Sequence, residues 1–473
     1  MILNIFSCQG GSVKLLKFTA KNVHEYINFE IEFNKDVNFI AGLNGSGKTT
    51  ALNLISAMLA PSIEELAKIK FEEATLYLTV SDTISFSITA TQRNDILQLS
   101  TSALPHEQPI TASLQEFRHS KDRLSANKFR AFKIFSFISG LPSPMFLSLD
   151  RRFIKEVTSY DSSPLSIIFE EKTRSTDADG SMKEALELIS KKSAEFKDKQ
   201  TLEDRKLRDK IILDSFHVYD RNMSSMALPN SRTPLELKAK QKTIKTTLIS
   251  LDFKTEEFES MYDNFFDNLI GLSRNVFEQF AKPRPETTKS SAAAKKKGIT
   301  SIPAPIRSTS VTLENSQSLG KWFANSHQMA RIDRLLKLID EYEKAKTEIY
   351  RPLVKFETLV NTFLEQTDKK IKVTNRGEVR IFISEIERSL TILSSGERQI
   401  LIMLAHLSLN DLLPQSGVFI VDEPELSLHI SWQDMFLEAV QAAGPDLQII
   451  LATHSPAIIG GRNEYYIPLN GGI

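Results

Sequence analysis

One stretch of eight residues constrains this chain more than any other. Residues Gly42 to Thr49 are Gly-Leu-Asn-Gly-Ser-Gly-Lys-Thr, which is the complete pattern of a phosphate-binding loop. Residues 37–41 before it are predicted to form a short apolar strand, and residues 49–59 after it a helix that ends before Pro61. This strand, loop and helix predict an α/β fold in which the loop surrounds a phosphate group.

The residue types in the loop suit that chemistry. Its glycines allow backbone N–H groups to surround the phosphates, and the following helix adds its positive N-terminal end. We expect Lys48 to reach the β- and γ-phosphates of a nucleotide and the Thr49 hydroxyl to bind Mg²⁺. The residues expected to bind nucleotide here are Gly42, Asn44, Gly45, Ser46, Gly47, Lys48, Thr49 and Thr50.

Two carboxylates follow a second apolar strand, residues 418–421. Ligands of open α/β sheets bind at the carboxyl ends of the strands. We therefore expect Asp422 to hold Mg²⁺ through its water shell and Glu423 to orient and deprotonate an attacking water. An acidic turn that caps a helix is the alternative, and the phosphate-binding loop favours the catalytic interpretation.

A third motif, Leu-Ser-Ser-Gly-Glu, spans residues 393–397 and precedes a helix predicted at 398–407. At a helix start, Ser394, Ser395 and Gly396 would offer free N–H groups to an anion, and we expect them to bind nucleotide. An ordinary helix cap has the same pattern.

His454 follows the apolar strand at residues 449–452. A single histidine is more often structural than catalytic. This one comes about one helix and one strand after Asp422 and Glu423, which would place it at the same edge of the sheet. We therefore take it as a second catalytic candidate.

The length of 473 residues allows two or three domains, or one domain with a large insertion. We predict an N-terminal part of a head at residues 1–165, a helical insertion at 166–367 and a C-terminal part of the head at 368–473. Within the insertion, residues 181–215 and the region around 332–342 have helical patterns, which predict either an antiparallel arm or two ordinary surface helices. The loop at 282–310, with lysines at 295–297, is predicted to be a solvated linker or a contact for nucleic acid or a partner.

Composition restricts the function less than the motifs do. The net charge is zero, which gives no whole-chain signal for nucleic-acid binding. Cys8 is the single cysteine, so an internal disulfide and a cysteine-based metal cluster are excluded. The sequence has no apolar run long enough to span a bilayer and no pattern of a signal peptide at its start. We expect a cytoplasmic protein without a membrane partner.

The four motifs, in this order, resemble the head of an ABC ATPase. The resemblance makes residues 42–49 the Walker A motif, 393–397 the signature, 418–423 Walker B, 426–429 the D-loop and His454 the switch histidine. It implies an α/β head with a mixed sheet and a coiled-coil-like helical insertion. The signature departs from the usual LSGGQ, because Ser395 replaces a glycine and Glu397 replaces the glutamine.

Three segments are similar to one bacterial branch, the OLD-like ATPases of anti-phage defence, which include the ATPase subunits of the PARIS and Septu systems. They are Leu-Ser-Ser-Gly-Glu, Asp-Glu-Pro-Glu-Leu-Ser-Leu-His and Ala-Thr-His-Ser-Pro. The resemblance implies ATP and Mg²⁺ as cofactors and a slow ATPase that works as a homodimer, or as a larger assembly of dimers. Ser394 of one copy would then face the nucleotide of the other.

The same resemblance implies partners. A separately encoded effector, a nuclease, would be controlled by the ATPase, and a phage protein or nucleic acid would be the trigger. OLD nucleases carry a TOPRIM nuclease domain after the ATPase. Because 19 residues follow His454, we expect no such domain here.

Two other functions fit part of the pattern. An SMC-like ATPase of DNA repair or chromosome maintenance would have a longer heptad coiled coil. The nucleotide-binding domain of a transporter is compact, whereas Lys48 and Ser394 are separated here by about 350 residues. Within the head, Gln92 is a candidate for the family's Q-loop, and residues 149–152 are a candidate contact for nucleotide or an interface.

Overall fold

The computed structural model describes residues 13–80, 84–119, 126–141, 145–147, 153–154, 178–216, 228–251, 256–281, 313–410, 417–426 and 428–469. Its strands are β1 Val13–Val23, β2 Ile27–Glu32, β3 Val37–Ala41, β4 Glu73–Val80, β5 Ile84–Arg93, β6 Ile96–Thr101, β7 Ile110–Ser113, β8 Met145–Leu147, β9 Phe153–Ile154, β10 Lys369–Val373, β11 Val379–Ile383, β12 Ile386–Arg388, β13 Val418–Asp422, β14 Gln448–Ala452 and β15 Tyr466–Pro468. Its α-helices are α1 Lys48–Leu59, α2 Ile63–Lys68, α3 Leu114–His119, α4 Ala126–Phe129, α5 Lys133–Ser139, α6 Ala178–Ser215, α7 Thr233–Ser250, α8 Glu256–Ala281, α9 Leu313–Ala324, α10 Ser326–Leu364, α11 Ser395–Leu409, α12 Ile430–Ala443 and α13 Pro456–Ile459. Short 3-10 helices lie at Glu365–Thr367, Leu390–Ile392, Pro424–Leu426 and Asn463–Tyr465.

The chain forms two compact units. The first combines Met1–Glu195 with Arg351–Ile473, and the second is Phe196–Tyr350. The divisions lie inside helices α6 and α10, whereas the sequence prediction placed them at residues 166 and 367. Residue 166 is outside the described residues, and Thr367 ends a 3-10 helix that follows α10.

A mostly parallel sheet in the first unit positions the motifs. Its order is β15-β3-β14-β13-β8-β9, and only the β8–β9 pair is antiparallel. Every residue of β3, β13 and β14 is buried, as expected for strands covered on both faces. Asp422 pairs with Ala452, which pairs with Ile40, so the three strands end at one edge of the sheet.

Two antiparallel sheets complete this unit. The larger has the order β2-β1-β4-β5-β6-β7, and the smaller has the order β10-β11-β12. Burial alternates strictly along β2, which is typical of a sheet with one solvated face.

Helix α1 lies in the hydrophobic core of the unit. Seven of its apolar side chains are buried: Ala51, Leu52, Leu54, Ile55, Ala57, Met58 and Leu59. The helix contacts both β4 of the antiparallel sheet and β13 of the parallel sheet. Because the phosphate-binding loop leads directly into this packed helix, the core holds the end of the loop in place.

A buried glutamine joins the two large sheets. The Gln448 side chain is fully buried; its Oε1 accepts from the Leu15 N–H at 2.7 Å, and its Nε2 donates to the Leu15 carbonyl at 2.9 Å. Nε2 also donates to the Asn34 carbonyl at 2.7 Å. This amide pairs with both backbone polar groups of Leu15 in β1, which would be costly to bury unpaired.

The second unit is helical. Its core is formed by Leu237, Ile244, Leu248, Phe266, Leu269, Ile270, Val276, Trp322, Ile332 and Ile339. These side chains come from α7, α8, α9 and α10. The predicted helical pattern around residues 332–342 is confirmed, because its buried members lie on α10.

Helices α6 and α10 pack in antiparallel fashion within this unit. Side-chain hydrogen bonds join Gln200 to Tyr350 at 2.8 Å and Asp204 to Tyr342 at 2.8 Å. Further along, the carboxylate of Asp214 accepts from Arg334 at 2.8 Å. Residue numbers rise along one helix as they fall along the other, so the antiparallel arm, and not two separate surface helices, is the correct interpretation.

The mixed α/β head with a long helical insertion is confirmed by these elements. Three predicted segments lie outside the described residues: the loop at 282–310, the possible contact at 149–152 and Ser427 of the D-loop.

No described helix has the length and apolar character needed to cross a membrane.

Candidate functional site

The loop between β3 and α1 requires its glycines. Gly45 and Gly47 have φ angles of +86° and +88°, which favour residues without a Cβ atom. A Cβ atom on Gly47 would also lie 2.8 Å from the Phe29 ring, and one on Gly42 would lie 2.6 Å from the Ser46 hydroxyl. Backbone strain and close packing therefore both explain the glycines of this motif.

Lys48 is buried, and its ammonium group has two partners. It donates to the Gly42 carbonyl at 3.0 Å and lies 2.5 Å from Nε2 of His454. An ammonium group can only donate, so Nε2 of His454 must accept in this contact. The structure thus brings the predicted histidine directly to the predicted phosphate-binding lysine.

Asp422 lies at the end of β13, next to the start of α1. The Thr49 hydroxyl donates to Oδ2 of Asp422 at 2.7 Å, while Oδ1 is buried and has no hydrogen-bond partner among the described residues. Burial raises the pKa of the Asp422 carboxyl above its ordinary value; the Thr49 hydrogen bond and Lys48 oppose this, and Glu423 and Glu425 add to it. A carboxylate with an unpaired buried oxygen beside a threonine hydroxyl suits a hard cation that binds oxygen, such as Mg²⁺.

Glu423 adopts a left-handed backbone conformation with φ of +47°. Its N–H donates to the Ala452 carbonyl at 2.8 Å, so the pairing of β13 with β14 continues through this residue. A non-glycine residue in this region is strained, and such strain is concentrated at functional sites. The turn directs the chain so that Glu423 lines the cleft described next.

A cleft of about 320 Å³ opens above the loop. It is lined by His24, Tyr26, Ile27, Asn44, Gly45, Gly47, Lys48, Thr49, Thr50 and Glu423. The structure therefore brings together the loop residues and the glutamate that the sequence predicted to lie together. The turn between β1 and β2 was missed, because it carries no motif of its own.

Glu425 is a second residue that sequence reasoning left without a role. Its carboxylate accepts from the Thr453 hydroxyl at 2.8 Å and from the His454 N–H at 2.6 Å. These contacts fix the segment that carries the imidazole. The sequence did mark Glu425, which is the second glutamate of the Asp-Glu-Pro-Glu segment. Its carboxylate holds the His454 segment in place and does not line the cleft.

The signature residues lie elsewhere. Ser394 caps helix α11, which begins at Ser395 and not at residue 398 as predicted. Ser394 and Ser395 are exposed and Gly396 is buried, and none of the three is among the cleft-lining residues. The described chain therefore assembles one part of the predicted nucleotide site and keeps the signature apart from it.

Glu397 stands where the usual signature has a glutamine, and its carboxylate is buried and fully bonded. It is 1% exposed, and both of its oxygens accept from Lys369 at 2.9 Å. Oε1 also accepts from Thr367 at 2.8 Å, and Oε2 from the Ser394 N–H at 2.6 Å. Burial alone would raise the pKa of Glu397, but the bonds from Lys369, the Ser394 backbone and Thr367 outweigh it, so the pKa lies below its ordinary value.

Gln92, the candidate Q-loop residue, makes its side-chain hydrogen bonds to backbone groups outside the cleft. The Gln92 amide donates to the Leu66 and Ile69 carbonyls, each at 2.8 Å, and its oxygen accepts from the Phe71 N–H at 3.4 Å. Gln92 therefore supports the connection between α2 and β4. These backbone contacts use both ends of its side chain, and Gln92 is not among the residues that line the cleft, so its assignment to the Q-loop stays a prediction.

Comparison with known sequences identifies one family. The sequence model of the AAA_15 family, described as an AAA ATPase domain, matches residues 14–459. A curated relative, the "Retron Vc95 probable ATPase" of Vibrio cholerae serotype O1 biovar El Tor, is 28% identical over 110 residues. That match spans 21% of this chain and 21% of the relative.

Solved structures show only a distant likeness. An Smc head domain of Pyrococcus furiosus, with an extended coiled coil and bound to the C-terminal domain of ScpA, has 12% identity and a TM-score of 0.39 over 98% of this chain and 95% of that chain. An Smc head domain of Pyrococcus yayanosii with a coiled coil and joint has 12% identity and a TM-score of 0.38 over 98% and 96%. RecF bound to ATP has 14% identity and a TM-score of 0.32 over 98% and 99%. Similarities with such low identities and TM-scores do not indicate the function of this chain.

Breaking the Lys369–Glu397 pair should destabilise the first unit. Glu397→Gln leaves a largely buried ammonium group without its charge partner, and we expect a loss of about 2–4 kcal/mol in the free energy of unfolding, measured by urea denaturation. The double variant Glu397→Gln/Lys369→Met should recover at least half of that loss. The exposed Glu387→Gln should cost less than about 0.5 kcal/mol, as for a surface pair. Equal losses of unfolding free energy in the single and double variants would contradict the assignment of Lys369 as the charge partner of Glu397.

The buried carboxyl of Asp422 should make stability depend on pH. Because its folded pKa is raised, folding favours the protonated form, and the ionised form becomes a penalty as pH rises above the ordinary value of 3.8. Asp422→Asn removes this titration. The melting temperature of the variant, relative to the native chain, should therefore rise between pH 4 and pH 8 in differential scanning fluorimetry without divalent cations. A difference that stays constant or falls with pH would refute the expected direction.

Proposed function

We propose a function from the premise that this chain belongs to the AAA_15 family of AAA ATPase domains. The chain binds ATP together with Mg²⁺ and hydrolyses it to ADP and phosphate. The observation that carries the proposal is the hydrogen bond between Thr49 and Asp422, which lie 373 residues apart in sequence. It joins a phosphate-binding loop to an acidic strand end, and Glu423 lines the same cleft.

The roles follow from the contacts. The N–H groups of the loop and the Lys48 ammonium neutralise the phosphates, and Thr49 and Asp422 hold Mg²⁺. When bound, Mg²⁺ neutralises charge on the phosphate oxygens and makes the terminal phosphorus easier to attack. Glu423 orients a water and accepts its proton as the oxygen bonds to phosphorus and the bond to ADP breaks. His454, held by Glu425 and beside Lys48, contacts the terminal phosphate.

A second copy of the chain completes the site. The exposed residues Ser394 and Ser395 lie at the N-terminal end of a 15-residue helix and are not among the residues that line the cleft of their own chain. The N-terminal end of such a helix favours an anion. In the proposed homodimer, this end faces the nucleotide bound by the other copy, so that ATP joins the two subunits and its hydrolysis separates them.

The biological setting we propose is anti-phage defence. The support is the similarity of three sequence segments to the OLD-like ATPases, which include the PARIS and Septu subunits, and the partial match to a retron ATPase. In this proposal the ATPase is cytoplasmic and controls a separately encoded nuclease effector. A phage protein or nucleic acid is the trigger, and the helical insertion is the part of the chain that contacts the partner.

Two substitutions separate binding from hydrolysis. Glu423→Gln removes the proton acceptor and should lower the ATP hydrolysis rate by about 10²-fold or more while ATP still binds. With MgATP, this variant should also double its molar mass in light scattering. Lys48→Ala should weaken ATP binding by roughly 30-fold or more, because a buried charge partner of the phosphates is lost.

The exposed substitutions Glu464→Gln and Lys370→Ala are the matched controls and should leave binding, hydrolysis and mass unchanged. Normal hydrolysis by Glu423→Gln would show that another group accepts the proton. A monomeric mass at saturating MgATP would refute the proposed dimer.

The proposed effector should be captured with the ATPase. We expect a nuclease to co-purify with the tagged full chain from its native host and to be identified by mass spectrometry. ATP hydrolysis without the effector should change less than about twofold when double-stranded DNA is added. Stimulation of tenfold or more by DNA, with no nuclease recovered, would instead support an ATPase of DNA repair.

A further inference from the structure

A half-buried glutamine on helix α12 makes hydrogen bonds at both ends of its side chain. Nε2 of Gln433 donates to the Leu428 carbonyl at 3.0 Å and, more weakly, to the Glu425 carbonyl at 3.5 Å. Its Oε1 accepts from the Ser455 hydroxyl at 2.5 Å. Gln433 is not among the residues that line the cleft, so any effect on a nucleotide must pass through these partners.

The direction of these hydrogen bonds is fixed. A carbonyl oxygen can only accept, so the NH2 group of Gln433 must face Glu425 and Leu428. The Ser455 hydroxyl accepts from the Ile458 N–H at 3.4 Å, where it caps α13, and its proton is free to go to Gln433. The position therefore requires one donor atom and one acceptor atom, which an amide offers and a carboxylate does not.

The partners of Gln433 belong to the two segments that carry the catalytic candidates. Two of them lie shortly after Glu423 in sequence, and Ser455 directly follows His454. The Glu425 carboxylate joins the same segments a second time, because it accepts from the His454 N–H at 2.6 Å. Two separate side chains thus connect the backbone after Glu423 to the backbone that carries His454.

Helix α12 holds Gln433 in a fixed position. Four of its apolar side chains are buried: Trp432, Phe436, Leu437 and Val440. The Trp432 ring also meets the Phe363 ring of α10 edge-on, with 5.8 Å between the ring centroids. Because closely packed side chains resist displacement, the amide extends from a rigid support.

His454 needs such support because it is itself exposed. Its neighbours Thr453 and Ser455 are buried, while its imidazole reaches Lys48 at 2.5 Å. A group that acts on a reacting phosphate must be placed accurately, since a displacement of about 1 Å can cost roughly 10²-fold in rate. The hydrogen bonds to the buried neighbour Ser455 and to the His454 N–H therefore determine where the imidazole lies.

We propose that Gln433 is a positioning residue for ATP hydrolysis, which sets the distance between Glu423 and His454. The proposal rests on the proposed hydrolysis and adds to it a residue outside the cleft. The loop around Lys48 surrounds the phosphates without help from Gln433. Gln433 therefore acts on the rate of turnover and not on the affinity for nucleotide.

Steady-state hydrolysis and calorimetric binding by the full chain, both with Mg²⁺, test the proposal. Gln433→Met keeps the size of the side chain but cannot donate; kcat should fall about tenfold, and affinity for adenylyl imidodiphosphate should change less than about threefold. Gln433→Glu keeps the length but cannot donate to the two carbonyls when ionised, so kcat should fall at least as far. Gln366→Met is the matched control. It removes a glutamine bonded to Ser431 and Met435 of the same helix and should change kcat less than about twofold.

A double variant tests whether Gln433 acts through His454. When His454→Ala has removed the imidazole, adding Gln433→Met should lower kcat by less than about twofold, because the group that Gln433 positions is gone. The same loss from Gln433→Met in both backgrounds would show that it does not act through His454 and would overturn the proposal.

The other outcomes separate this proposal from the one it rests on. If the native chain binds the analogue but hydrolyses no ATP, the proposed hydrolysis itself is refuted. If His454→Ala hydrolyses ATP at the native rate, the role of His454 is refuted and Gln433 has no catalytic group to position. Native turnover by Gln433→Met or Gln433→Glu overturns the role of Gln433 alone. A loss of analogue affinity as large as the loss in kcat also overturns it, because Gln433 would then support the whole site.

Discussion

The hydrogen bond from the Thr49 hydroxyl to the Asp422 carboxylate is the contact on which the site depends. It links the start of α1 to the end of β13, and within the described residues β3 pairs with β14 and β15, which come from the far end of the chain. The first part of the head therefore cannot complete its sheet until the chain after the insertion has folded back. Closing so long a loop costs entropy, and the fully buried strands of the parallel sheet offset that cost.

Much of this site could be predicted because its residues occur in short, regular patterns. The loop around Lys48, the acidic strand end at Asp422 and the strand before His454 each combine an apolar run with a polar turn, and apolar runs of this length predict buried strands. Helix α6 was predictable for the same reason, from its composition and spacing. The antiparallel arm needed the structure, since spacing within one helix does not identify the helix that packs on it.

The residues that escaped prediction act through position and not through a local pattern. Lys369 begins a strand and has an ordinary sequence context, yet it neutralises Glu397 in the signature. Tyr26 lies in a turn that no motif marks. The contacts of Gln92 could not be predicted, because a glutamine alone does not show whether its amide faces a ligand or backbone carbonyls. The partners of Gln92 and Lys369 lie 21 to 28 residues away in sequence, and only the folded chain identifies them.

The glutamate at position 397 of the signature needs different partners from the usual glutamine. A glutamine at position 397 would need only neutral partners, whereas a buried carboxylate needs a cation, and Lys369 supplies it at the first residue of β10. The same carboxylate accepts from Thr367, at the end of the 3-10 helix after α10. The start of α11 is thereby bonded to the segment through which the insertion returns to the head. A displacement at the end of α10 would have to break this buried ion pair or move Ser394 with it.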